Sequence, residues 1–76
     1  MECNVYEVEV LINNIEGYEN KKLNLTATYK VLAISKDAAQ KKCANYLKWE
    51  YRNILEHKKY NVAFPSSKLL VSNVVY

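Results

Sequence analysis

Two stretches of alternating character open the chain. In residues 3–12 the even positions are apolar: Tyr6, Val8, Val10 and Ile12. In residues 23–34 the odd positions are Leu23, Leu25, Ala27, Tyr29, Val31 and Ala33. A period of two marks a strand with one buried face. Folding the two runs into an antiparallel hairpin with Ile12 opposite Leu23 brings the apolar sets together, Val10 with Leu25, Val8 with Ala27 and Tyr6 with Tyr29. The opposite face then carries Glu7, Glu9, Thr26, Thr28 and Lys30, with Val5, Leu11 and Leu32 among them. Residues 13–22 include Asn13, Asn14, Gly17, Glu19 and Asn20 and read as a long surface loop, from which Ile15 and Tyr18 turn back onto the sheet.

After Ile34 the period changes. Ser35 stands where a helix N-cap belongs, and Asp37 in the first turn suits the positive end of the helix dipole. The capping box is incomplete, because Ala38 occupies the third helical position. The pattern predicts a helix from Lys36 to about His57, with Lys58 and Lys59 at its negative end. Ala39, Cys43, Tyr46, Leu47, Ile54 and, at the edge, Tyr51 share one stripe, and Glu50 lies near its centre. Lys41, Asn45, Lys48 and Arg52 occupy the far side, and Trp49 falls on the flank, nearer to the solvent face than to the stripe.

Beyond the helix, Tyr60, Val62 and Phe64 alternate with Asn61 and Ala63, as a short edge strand or an extended connector. Pro65, Ser66 and Ser67 read as a turn, and residues 69–76 as a closing strand rich in valine and leucine. The predicted fold class is α+β: one domain, residues 1–76, with element order ββαβ, or ββαββ if residues 60–64 form a strand. Its antiparallel sheet has one long helix packed on one face. The half-apolar outer face, or the edge of the closing strand, offers a surface for a homodimer.

Composition narrows the function classes. A chain of 76 residues buries only about 60% of its unfolded surface, so it needs a well-packed core or a partner. The net charge of +3 permits nucleic-acid contact without demanding it, and ten of the eleven basic residues are lysine. Two cysteines, Cys3 and Cys43, are too few for a disulfide scaffold and fit reduced thiols in the cytoplasm. No run approaches the roughly 20 apolar residues of a membrane span, and the first residues lack the features of a signal peptide.

Candidate chemistry is sparse. His57 is the only histidine, and the cysteines are far apart in sequence, so neither a metal site nor any other cofactor is expected. Cys43 and His57 are separated by about 21 Å along a helix, too far for a nucleophile and its base. Glu7 and Glu9 share a strand face, which is ordinary wet sheet surface. These features predict that the protein is not an enzyme. Glu50 needs a partner within its apolar stripe, and Lys30, Lys36 or a tyrosine hydroxyl could supply one. Seven tyrosines and one tryptophan stand beside a single phenylalanine. Exposed Tyr and Trp serve as anchors at protein interfaces and as stacking platforms for single-stranded nucleic acid. The same richness in tyrosine, with ten lysines and nine asparagines, also fits AT-rich codon usage. Asn45, Trp49, Arg52 and Glu56 recur every three or four residues on one helix flank, and Lys41, Lys42 and Lys48 lie close by. These seven residues are the candidate partner-binding site.

The segment from Tyr29 through Val31, Ala33, Ser35, Asp37, Ala38 and Ala39 to Lys42 ends a strand and opens a helix. Together with the closing valine strand it resembles, over residues 23–76, small proteins of bacteriophages and other mobile elements. Among these are anti-CRISPR proteins, which block the RNA-guided surveillance complexes of bacteria. The resemblance implies a binding protein, acting in the cytoplasm of a bacterial host, that occludes a surface of a larger host protein or ribonucleoprotein complex. The alternative is a small basic nucleic-acid-binding module. No functional residue is carried over by the resemblance.

Overall fold

The computed structural model of the chain describes residues 2–17 and 21–75. Its elements are β1 (Glu2–Glu16), β2 (Lys22–Ala33), α1 (Lys36–Glu50), α2 (Arg52–Leu55) and β3 (Asn61–Val75). The strands form one antiparallel sheet in the order β2-β1-β3, so β1 is the central strand and the helical segment crosses from one edge to the other. This is the α+β, ββαβ arrangement with its main helix on one sheet face.

The faces of β1 follow its alternation. Val8, Val10, Ile12 and Ile15 are fully buried and Tyr6 nearly so, packed against Ala39, Cys43, Ala44 and Leu47 of α1. From β2, Leu25, Ala27, Tyr29 and Val31 border the same core, and from β3, Val62 and Phe64. Ser35 caps α1 as expected, its Oγ accepting from the Ala38 N–H at 3.2 Å.

Five expectations need correction. First, the hairpin register is two residues away from the predicted one: Ile12 faces Leu25, Val10 faces Ala27, Val8 faces Tyr29 and Tyr6 faces Val31. An even shift leaves every side chain on its predicted face. The cause is a bulge at Asn13–Asn14, with Asn14 at φ 56°, after which pairing resumes at Ile15 with Leu23. Second, the loop is far shorter than residues 13–22, because the strands run to Glu16 and from Lys22. Gly17 donates its N–H to the Lys21 carbonyl at 2.9 Å, and a Cβ at Gly17 would lie 2.8 Å from that oxygen. Tyr18 lies outside the described residues.

Third, the long helix ends at Glu50 instead of running to His57. Tyr51, at φ −114° and ψ 28°, breaks it, and α2 follows as a separate short turn that His57 closes at φ 59°. The break turns Leu55 into the core and leaves Ile54 41% exposed. Fourth, Tyr46 sits outside the core at 52% exposure, and Glu50 is exposed as well. Fifth, Pro65, Ser66 and Ser67 make no turn. The strand β3 passes through them unbroken, and residues 60–64 add no separate strand. Between Glu9–Ser66 and Leu11–Ala63, β3 takes three steps to two on β1, a bulge at Phe64–Pro65. A proline without a donor is tolerated at a bulge on an edge strand.

Val8→Lys places a charge on a fully buried position and is expected to unfold the domain, whereas Glu9→Lys on the outer face changes stability by no more than about 0.5 kcal/mol. Thermal melts followed by circular dichroism check both; comparable losses would refute this assignment of the β1 faces.

Candidate functional site

The outer flank of the helical segment gathers most of the candidate residues. Lys41, Lys42, Asn45, Lys48 and Trp49 are on α1, Arg52 opens α2, and Glu56 caps α2 with its N–H on the Arg52 carbonyl at 3.0 Å. Trp49 is 69% exposed and takes no part in the core. Its exposure follows from its place between Leu47, which points to the sheet, and the break at Tyr51. The Arg52 guanidinium carbon lies 4.1 Å from the centroid of the indole ring, a cation–π stack. Arg52 Nη1 also donates to the Trp49 carbonyl at 2.8 Å, serving an acceptor in the last turn of α1. One side chain thus holds the indole ring and ties together the two helices across the break.

Next to this pair lies an open groove of about 430 Å³ lined by Lys48, Arg52, Asn53, Leu55, Glu56 and Tyr60. Arg52 belongs to both features. The groove combines cationic Lys48 and Arg52 with the Glu56 carboxylate and the apolar surface of Leu55 and Tyr60. Glu56 also lies 3.4 Å from His57, an exposed contact worth little. Asn45 and Lys41 are exposed on the preceding turns of α1. Lys42 stands apart from the flank: its Nζ donates to the Leu32 carbonyl on β2 at 2.7 Å.

The Glu50 partner is a tyrosine. Tyr29 Oη donates to Glu50 Oε2 at 3.4 Å, and the Tyr29 ring meets Tyr46 at a centroid distance of 5.8 Å, tilted by 57°. Burial first, and then the Glu50 carboxylate as neighbouring charge and acceptor, push the Tyr29 phenol above its ordinary value of 10.0. The aromatic pair is not apparent from sequence, because Tyr46 shares the apolar stripe of the helix; its signal is the position of Tyr46 one turn before Glu50. Asn53, Leu55 and Tyr60 line the groove as well and are not among the residues that sequence spacing singled out.

Cys43 is fully buried, and that burial pushes its thiol upward while Lys42 pulls the other way. Its position among Val and Leu side chains disfavours the thiolate. Among the described residues no three metal-ligating side chains cluster, and no helix is long and apolar enough to cross a membrane. Compared with models of protein families, with curated proteins and with solved structures, the chain matches none.

The Tyr29–Glu50 pair carries a pH prediction. Because the folded value of Tyr29 is raised, its contribution to stability is fully present below 10.0 and is lost as pH rises through the higher folded value. Ultraviolet titration of tyrosinate is expected to show a late-ionising tyrosine that disappears in Tyr29→Phe and ionises earlier in Glu50→Gln. An unchanged late transition in Glu50→Gln would dismiss the carboxylate as a cause.

Proposed function

We propose that this chain is a non-catalytic binding protein that covers a surface of a larger host protein or ribonucleoprotein complex, in the cytoplasm of a bacterial host. Trp49 carries the reading. A tryptophan more than two-thirds exposed adds little to folding, and here an arginine is stacked on it and a mixed apolar and charged groove adjoins it. Trp, Tyr and Arg are the residue types that dominate binding energy at interfaces. A pre-stacked Arg52 also lowers the entropic cost of ordering the anchor on contact. Lys41 and Lys48 surround this centre with positive charge and would speed encounter with an acidic partner.

The same stack of Arg52 on Trp49 supports a second reading, a module for single-stranded nucleic acid, in which a base packs on the indole ring and lysines neutralise phosphates. Salt separates the two. Phosphate neutralisation gives a steep fall of affinity with ionic strength, whereas an interface centred on a buried tryptophan weakens little.

The test is Trp49→Ala, assayed for stability and for capture of bacterial lysate components with and without nuclease. Stability is expected to change by no more than about 0.5 kcal/mol, and partner capture to fall by at least tenfold while surviving nuclease treatment. Capture abolished by nuclease in the wild-type protein favours the nucleic-acid reading. Unchanged capture in Trp49→Ala removes the flank as the binding surface.

A further inference from the structure

The two edges of the sheet differ in kind. β3, though continuous, carries three register irregularities against β1, Pro65, and Asn73 at φ 58°, whose N–H donates to Asn4 Oδ1 at 3.1 Å. Bulges and proline are the devices that keep an edge from pairing. β2 has none of these from Leu25 to Ala33: nine residues pair with β1 in unbroken register.

The direction of its backbone groups can be worked out. The Lys21 carbonyl accepts from the Gly17 N–H across the hairpin, so the groups of residue 21 point toward β1. In an antiparallel strand successive residues alternate in direction. Leu23, Leu25, Ala27, Tyr29 and Val31 therefore bond to β1, while Asn24, Thr26, Thr28, Lys30 and Leu32 turn their N–H and C=O to the open edge. The Leu32 carbonyl agrees, since it is reached by Lys42 Nζ. That contact closes one end of the open edge and leaves Thr26, Thr28 and Lys30 as its centre.

We propose that this edge pairs with the same edge of a second copy of the chain, antiparallel about a two-fold axis at Thr28, to make a six-stranded sheet. The register is self-complementary. Thr28 faces Thr28, a favourable cross-strand pair, and each Lys30 faces a Thr26, so no like charges oppose one another. On the inner face Leu25 meets Val31, and Ala27 meets Tyr29. The small Ala27 leaves room for the second copy's Tyr29 beside the exposed ring of Tyr46. A pairing through β3 would have to run past its bulges and Pro65.

The experiment uses the whole chain at micromolar concentration. Light scattering is expected to give twice the 8.9 kDa chain mass. Thr28→Pro removes an outward N–H, leaves the β1 ladder intact and is expected to return the protein to 8.9 kDa with its circular dichroism preserved. Thr28→Cys places two thiols across the axis in a directly bonded pair, with Cα atoms about 5.5 Å apart, within disulfide reach. It is expected to cross-link on mild oxidation, whereas Thr26→Cys, opposite Lys30, is not. If Thr28→Pro fails to fold, the two cysteine variants decide. A wild-type mass of 8.9 kDa throughout overturns the proposal. So does a dimer in which Thr28→Cys fails to cross-link, and an extended segment of another protein would then be the remaining occupant of the edge.

Discussion

Every other feature of this fold depends on β1 being hydrogen-bonded along both edges and buried along one face. Val8, Val10, Ile12 and Ile15 are shielded completely, each worth about 1.5–3 kcal/mol of transfer free energy. They can be shielded only if α1 lies over the centre of the sheet, and α1 can lie there only by crossing from β2 to β3. The lengths do not match, however. Fifteen residues of helix span about 22 Å, while the molecule is 49 Å long. The break at Tyr51 and the short α2 extend the cover, bringing Leu55 and then Tyr60 to the core. Beyond the cover and on the open outer face, apolar side chains stay in water: Leu69, opposite Tyr6, is 56% exposed, and Val71, opposite Val5 on the outer face, is 51% exposed.

The constraint explains which parts of the fold were legible. Period-two alternation is imposed by the buried face of each strand, so the faces of β1 and β2 were readable residue by residue. The register was not, because a bulge is decided by local backbone geometry at Asn13 and Asn14, and asparagine tolerates that geometry in many settings. The helix start was readable from the Ser35 cap. Its end was hidden, because Asn53 and Ile54 continue a helical pattern, and no glycine or proline marks the break at Tyr51. Pro65 was misread for a related reason. Proline followed by serines usually marks a turn, yet an edge strand with a bulge absorbs it, and edge position is a tertiary property.

On the helix flank, the exposure of Trp49 was legible in the sequence, and the arrangement around it was not. Trp49 stood out as a large aromatic at a position that the core does not reach, and spacing placed Arg52 near it. That Arg52 both stacks on the indole and serves the Trp49 carbonyl follows from the end of α1, where the helix no longer supplies its own donors. Lys42 illustrates the limit of helical-wheel reasoning. It belongs by spacing to the basic cluster, but the sheet beneath draws it to the Leu32 carbonyl.

The break at Tyr51 therefore links the fold to the geometry of the flank. Past the break, Leu55 is buried while Ile54 is 41% exposed, and Leu55 lines the groove with Asn53 and Tyr60. The same break frees the last carbonyls of α1, which gives Arg52 a second reason to lie across Trp49. The backbone departure at Tyr51 thus stands beside both the exposed Trp49, with Arg52 stacked on it, and the groove lined by Asn53, Leu55 and Tyr60. Behind this flank lies the core, where Leu47 and Leu55 from the two sides of the break are both buried.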